Sequence, residues 1–492
     1  MIKLCFGLIK KKVALNSDVK SIFSSLKNSA FWLMISIFFL SVSQLYAQRP
    51  KLMVTTDIGQ DPDDQQSFVR LLHYANEFDF VGFIANADSN YDHEPPLVRD
   101  DILYNLISKY ALIQDRLKLH SPHYPTADYL HSLVKKGSNK NGVKIPVTDY
   151  VGPGHDTEGS DWIIESVKQS SGPINVAVWG GACDLAQALW KVKETSSREE
   201  LATFVKKLRV YFIGKQDSSN EWIIREFPEL WLILALDPSG DKWASSYRGM
   251  FLGGDISSTS REWLNENIIG KNPLASEYPD EAYTGGEKFN PHMALKEGDS
   301  PSWLYFLSNG LNFPDYPHWG GWGGRFKQER PNFFRDVQDK YFDKDKEAWR
   351  MSSMATVFRW RNDFQNDFAA RAHWGSEDQD RVNHAPIPVI SGNPDDAYVE
   401  IPVEAGNTIT LDASNSTDPD GDNLSFNWMV YPVPGTFLEA NNAIIEDTNN
   451  SRVAVNVPKK AKGTSIPIVL RVVDDGDIPL TGYKRILVKV EH

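Results

Sequence analysis

The chain has 492 residues, with 65 Asp and Glu against 52 Lys and Arg, for a formal net charge of −13. At roughly 150 residues per domain this length suggests two or three domains with ample core. The 41% hydrophobic and 24% charged content excludes a disordered or collagenous chain, and the acidic balance argues against nucleic acid as a partner, since phosphate binding needs a basic face.

Residues 1–47 read as a signal peptide. Six lysines and a single acid, Asp18, precede the apolar run 30–42, and Ala47 offers a small residue before a cut. The run is shorter than the about 20 residues a membrane span needs, so no stable span is expected after cleavage. Removing six lysines and one aspartate leaves 46 basic and 64 acidic residues, a net of −18. Cys5 leaves with the leader and Cys183 remains alone, so no intrachain disulfide is expected. The expected location is periplasmic or secreted.

From 49 to 382 the chain reads as one α/β unit. Apolar runs at 51–57, 78–86, 174–180 and 208–214 are short, rich in β-branched and aromatic residues, and end in polar or Gly turns. Helical patterns at 63–77 and 183–194 lie between them. Continuous apolar strands alternating with helices predict a doubly wound, mainly parallel sheet. A Pro-rich linker follows at 383–394. Period-2 runs then recur at 398–403, 407–413, 424–433, 452–457, 466–474 and 483–490. They predict an Ig-like β-sandwich over 395–492.

The strongest chemical feature is TTDIGQDPDD (55–64), where the first strand ends. Asp57, Asp61, Asp63 and Asp64 repel one another, and a hard divalent cation is the expected compensator, Ca²⁺ taking about six to eight oxygens. Helix capping by Asp61 or Asp63 would use one or two of them and leave the others unexplained.

This turn resembles the N-terminal aspartate cluster of the nucleoside hydrolases, whose signature is DTDPGxDD and whose aspartates hold Ca²⁺. The segment NVAVWGGACDLAQAL (175–189) looks like that family's strand–GPLTN–helix turn. There the backbone carbonyl at the Thr position is a metal ligand, and that position here is Cys183. EGDSPSWL (297–304) resembles the family's late His-Asp helix start, whose Asp, here Asp299, completes the metal site. Over about 50–490 the chain is similar to a bacterial nucleoside-hydrolase-like family with a C-terminal Ig-like domain, described as cellulose-binding. The resemblance implies Ca²⁺ held by Asp57, Asp64, Cys183 and Asp299. Two residues are inserted after Asp57, so the ligand pair reads as Asp61 with Asp64 or as Asp63 with Asp64. Gly298 stands where the family has His, and Asp184 where it has Asn.

The chemistry so implied is hydrolysis by a water whose pKa the metal lowers, with Asp57 or Asp63 taking the proton. It differs from the two-carboxylate arrangement of most glycosidases. His155 with Asp156, and Glu226, are candidate helpers for the leaving group, although each also reads as structural. Asn86 or Asn90 after the second strand, and Asn220 after another, are expected to touch a sugar. Trp319 and Trp322, on the Gly-rich loop 317–326, are expected to offer aromatic faces to it. The turns at 418–422 and 474–477 carry alternating Asp that could hold Ca²⁺. The closing Glu of an EF-hand is missing there, and an Asx-type turn is the plainer reading.

The expected function is an exported Ca²⁺-dependent hydrolase of glycosidic bonds, N-glycosidic ones included, acting on a carbohydrate or glycoside. The alternative is a non-catalytic binder of a cellulose-like glycan on the same scaffold. A secreted nucleosidase fits less well, because the base-side residues do not match.

Overall fold

The computed structural model describes residues 49–59, 61–87, 97–140, 142, 144–281, 290–376, 382–390, 398–431, 436–441 and 444–491. The leader expected at 1–47 and the candidate Asn90 lie outside these residues. Pro50–His492 forms one unit. Among the described residues no helix is long and apolar enough to cross a membrane.

Eight strands build the main sheet: β1 (Lys51–Thr56), β2 (Asp79–Ala85), β3 (Val134–Lys136), β4 (Ile174–Val178), β5 (Leu208–Phe212), β6 (Trp231–Leu234), β7 (Phe326–Arg330) and β8 (Phe333–Asp336). Their order is β3-β2-β1-β4-β5-β6-β8-β7. Every neighbouring pair is parallel except β7 with β8. β1 and β4 are buried almost throughout, as a sheet covered on both faces demands. The doubly wound α/β fold expected from the alternation is thus present. From β1 the chain winds outward through β2 and β3; from β4 it winds the other way through β5 and β6. The carboxyl ends of β1 and β4 flank this reversal, where such sheets open a ligand crevice.

The helices that matter for the site are α1 (Pro62–His73), α2 (Glu158–Gln169), α3 (Cys183–Thr195), α4 (Ser218–Glu226), α5 (Ser300–Leu304) and α6 (Arg361–Trp374). α1 begins at a proline in its first turn and ends earlier than its pattern suggests, the remainder being a 3₁₀ turn at Ala75–Glu77. Thr157 and Asp217 cap α2 and α4, each in a reciprocal capping box. β3, β6, β7 and β8 escape the sequence pattern because they are only three to five residues long, and β7 is a polar edge strand. The hairpin of β9 (Asp339–Asp343) and β10 (Ala348–Ser352) was not anticipated either.

The C-terminal part is a two-sheet sandwich. β11 (Val399–Val403), β13 (Ser425–Val430), β16 (Ser465–Val473) and β17 (Thr481–Val490) form one sheet in the order β11-β17-β16-β13. β12 (Thr408–Asp412), β14 (Ile445–Glu446) and β15 (Arg452–Asn456) form the other. Leu411, Val453 and Val455 from one sheet meet Trp428, Ile468, Leu470 and Ile486 from the other in a common core. The Pro-rich segment read as a linker is pinned to it: Ile387 bridges Thr417, and Ile390 is fully buried in the sandwich core.

Candidate functional site

α1 carries polar residues on the face that an amphipathic helix normally gives to apolar ones, and these fasten a distant segment. Gln66 donates to the carbonyls of Pro279 and Ala294, at 2.8 and 3.0 Å, and accepts from the Lys296 N–H at 2.8 Å. One turn on, Arg70 Nε and Nη2 donate to the two oxygens of Glu297, at 2.6 and 3.0 Å, with both side chains wholly buried. Tyr278 and Ser300 add hydroxyl donors to Glu297, at 2.5 and 2.7 Å. A charge pair with four donors on its carboxylate satisfies itself internally. Its consequence is positional: it brings Asp299 to the start of α1.

There Asp63, Asp64 and Asp299 each present an oxygen, and these oxygens all lie within 4.8 Å of one another. Thr56, the last residue of β1, donates its hydroxyl to Asp64. Asp57 is held against Gly180 at the end of β4, where any Cβ would collide with its carboxylate. Gly59 makes the next turn at a φ of 122°, in a region that L side chains rarely adopt. Lys296 Nζ binds Asp61 and stands 3.7 Å from Asp63. Burial, opposed by Lys296 and reinforced by Asp61, pushes the Asp63 carboxyl up to about 6. Burial together with Asp64, Asp63 and Asp57 holds the Asp299 carboxyl well above the usual carboxylate range. Asp299 is 1% exposed, and its Oδ2 has no hydrogen-bond partner.

Five carboxylates thus gather near Lys296, with Arg248 adding positive charge felt by Asp63. The donor set is all oxygen, three ligand atoms are converged, and one buried oxygen is orphaned. These features suit a hard divalent cation such as Ca²⁺, with Asp57, Asp63, Asp64 and Asp299 as the residues able to hold it.

The structure sorts the other candidates. Of the two pairs read from the sequence, Asp63 with Asp64 belongs to the converged trio, while Asp61 is engaged by Lys296. Cys183, at the start of α3, is buried, and its thiol donates to Asp184 at 3.6 Å. Asp184 acts as a fastener, accepting from the Ser138 N–H at 3.0 Å, from Thr157 Oγ1 at 2.6 Å and from Asn86 Nδ2 at 3.4 Å. Asn86 is fully buried after β2, also donates to the Gly181 carbonyl at 3.2 Å, and keeps an unpartnered Oδ1. Asn220 is fully buried as well, and its carbonyl oxygen accepts the N–H groups of Gln216 and Asp217, at 2.9 and 3.0 Å. Its oxygen thus serves the capping box of α4, while its Nδ2 is buried without a hydrogen-bond partner. Asp156 is held by Gln187 and Lys191, and Glu226 by Lys193 and Arg225, so neither is free to serve a leaving group.

The two tryptophans also need correction. Trp322 is 2% exposed and donates its Nε1 to the Tyr483 hydroxyl at 3.1 Å. Trp319 is 8% exposed, stacked on Tyr316 with ring centroids 4.3 Å apart. Their faces pack at the join with the sandwich. The glycines let the loop fold inward: a Cβ at Gly323 would strike the backbone of Pro301 and Tyr305.

Lys296, Arg70, Glu297 and Tyr247 are site residues that sequence reasoning missed. The polar pair Gln66 and Arg70, four apart on an otherwise apolar helix face, was the available signal for the clamp. Nothing local pointed to Tyr247. Its ring lies 3.3 Å from where a Cβ at Gly298 would stand, so it fills the space beside the residue that replaces the family's His.

Comparison with known proteins agrees with this fold. The model of the cellulose-binding Sde182 nucleoside-hydrolase-like domain matches residues 51–326. That of the cellulose-binding Sde0182 C-terminal domain matches residues 408–490. A solved structure from Saccharophagus degradans, a nucleoside hydrolase-related hypothetical protein associated with carbohydrate metabolism, is 30% identical. That match covers 90% of this chain and 100% of the other, with a TM-score of 0.70. A plant nucleoside hydrolase is 13% identical over 66% of this chain and 99% of its own, with a TM-score of 0.36. The inosine-uridine preferring nucleoside hydrolase of Bacillus anthracis is 15% identical over 46% and 75%, with a TM-score of 0.28. No curated protein matches.

Proposed function

The chain belongs to the cellulose-binding, nucleoside-hydrolase-like Sde182 family, and from that membership we propose that it is an exported hydrolase of glycosidic bonds in a carbohydrate or glycoside, working with Ca²⁺ at the ends of β1 and β4. The observation that carries this reading is the convergence of Asp63, Asp64 and Asp299 at the reversal point of the sheet, with an orphaned oxygen on Asp299. Asp57, Asp64 and Asp299 would hold the ion, with the Cys183 carbonyl a further donor by family resemblance. Bound there, Ca²⁺ supplies positive charge that lowers the pKa of water and steadies developing negative charge on oxygen.

The chain's own residues do the rest. Asp63, pushed up to about 6, is placed to take a proton and return it near neutrality. Gly180 fixes Asp57 by close approach, leaving its carboxylate no room to swing toward β4. Lys296 draws Asp61 aside and tempers the repulsion on Asp63. Tyr247 walls the side where Gly298 offers no side chain.

A second reading, glycan binding without hydrolysis, is favoured by that bare Gly298 and by the lysine bound into the acidic group. One experiment separates the two. The mature protein, stripped with a chelator and reloaded with Ca²⁺, is offered cello-oligosaccharides and aryl glycosides. Asp57→Ala is expected to lose at least about a hundredfold in turnover. If no hydrolysis is seen in any preparation and oligosaccharide affinity is the same in Asp57→Ala, the enzyme reading fails and the binding reading stands. Export is checked by N-terminal sequencing of the protein recovered outside the cytoplasm, expected to begin at Gln48.

A further inference from the structure

Six carboxylates meet where the sandwich faces the segment that follows α6. Asp418, Asp420 and Asp422 lie on the turn between β12 and β13, and Asp474, Asp475 and Asp477 on the turn between β16 and β17. Asn423 ties the two turns together, donating its N–H and its Nδ2 to Asp475 at 2.8 and 2.9 Å. Among the described residues no lysine or arginine ion pair reaches any of the six. The His384 ring stands 3.1 Å from Asp420.

Turn geometry accounts for one oxygen on each of the two innermost carboxylates. Asp418 Oδ1 accepts the N–H groups of Asp420, Gly421 and Asp422, at 2.8, 3.0 and 3.2 Å. Asp474 Oδ1 accepts Asn383 Nδ2 and the N–H groups of Gly476 and Leu480, at 2.8, 3.2 and 3.0 Å. The other oxygen of each is left over. Asp474 is 4% exposed and its Oδ2 has no partner; Asp418 Oδ2 is likewise buried and unpartnered. Burial, with a smaller contribution from Asp418, holds the Asp474 carboxyl above its ordinary range. On each turn one carboxylate oxygen is therefore buried with no donor, which is costly unless something positive meets it. Asp422 sits over the same spot, its Oδ2 2.9 Å from where a Cβ at Gly476 would stand.

We propose that these two turns form a Ca²⁺ site, with Asp418 and Asp474 supplying the inner oxygens and Asp422, Asp475 and Asp477 the outer ones. A carboxylate-rich, all-oxygen set on turns suits Ca²⁺ better than Mg²⁺, which demands a near-ideal octahedron and keeps its water. The oxygens stand wider apart than the strand-end trio, so binding draws the turns together. Asn383 on Asp474 and the His384 N–H on Asp420, at 2.8 and 2.7 Å, attach both turns to the segment leaving α6. The ion thereby fastens the sandwich to the α/β part, independently of any chemistry at β1.

The test uses the mature full chain carrying Asp64→Asn and Asp299→Asn, so that the strand-end site cannot report. Calorimetric titration with Ca²⁺ alone is expected to show one ion per chain and a raised thermal midpoint. Adding Asp475→Asn and Asp477→Asn, both at exposed positions, is expected to weaken that binding by at least about tenfold and remove the thermal shift. Asp477→Asn alone gives a smaller loss and decides the matter if the fuller variant does not fold. No Ca²⁺ binding in the first chain, or binding unchanged by the added substitutions, overturns the site. Neither result bears on the β1 cluster, which that background lacks.

Discussion

The join between the α/β part and the sandwich and the carboxyl ends of β1 and β4 bury the same kind of group in opposite ways. At the join arginine meets each of the two buried carboxylates, Asp363 and Asp339. Asp363, on α6, takes Arg471 Nη2 and Nε at 2.5 and 3.2 Å, Thr481 at 3.1 Å and the Tyr483 hydroxyl. Asp339 takes Arg325, Arg359 at 3.1 Å and Tyr431 at 2.5 Å. Arg485 spends its donors on the carbonyls of Leu311, Trp319 and Gly320, at 2.6–2.9 Å. At the strand ends Lys296 pairs with Asp61 and Asp63, Arg248 acts on Asp63 from further off, and the buried Asp299 keeps an orphaned oxygen. An acid paired with arginine is structural glue, because its charge is already answered within the fold. An unsaturated cluster holds unspent binding capacity at a cost in stability, and that is what a ligand site requires.

The contrast can be broken most severely at the clamp that serves both purposes. Arg70→Met strands Glu297 in the core and is expected to cost about 3–5 kcal/mol. The urea midpoint reads this, and Ca²⁺ affinity should fall with it because Asp299 loses its anchor.

The next largest effect is pH dependence in the presence of a chelator. Burial raises Asp63 to about 6, Asp217 to about 6, Asp336 to about 7, and Asp299 well upward. A carboxyl whose folded pKa exceeds its unfolded one stabilises below the unfolded value and loses that contribution as pH rises through the folded one. Burial lowers His73 and His120 to about 4, which works the other way: their contribution is present above the unfolded value near 6.5 and is lost as pH falls. Four acids outweigh two imidazoles. The metal-free protein is therefore expected to be more stable at pH 5 than at pH 7.5, by about 1.4 kcal/mol per pH unit for each net proton. Thermal melts across that window check it, and a flat or rising profile contradicts it.

Asp363→Asn at the matched join is expected to destabilise by about 2 kcal/mol, since charge-assisted bonds weaken while their donors stay buried. Asp299→Asn at the unmatched cluster should do the reverse. Relief of repulsion is expected to raise metal-free stability by about 1 kcal/mol while abolishing the thermal shift produced by Ca²⁺. Equal signs for these two substitutions would erase the distinction between the regions.

Much of the site was readable from local pattern, and the remainder was hidden for a definite reason. The TTDIGQDPDD turn announced its acids because four of them crowd one strand end, and repulsion at that spacing needs no third dimension to be recognised. Lys296 was invisible because it lies 235 residues from the Asp61 it binds. Trp319 and Trp322 were misread as open faces because Gly-rich spacing permits a loop to fold inward as easily as outward. The capping role of Asn220 was hidden because a capping amide and a sugar-binding amide look alike in one dimension.

By itself the sequence determined the two-part order of the chain, the winding of the parallel strands and the presence of an acidic turn at β1. Each of these follows from side-chain polarity at fixed covalent spacing, which sets period and turn locally. Only tertiary packing decided which acids converge, which lysine tempers them, and that the aromatic loop seals an interface. Those outcomes depend on the surfaces that remote segments present to one another once the sheet has reversed direction between β1 and β4.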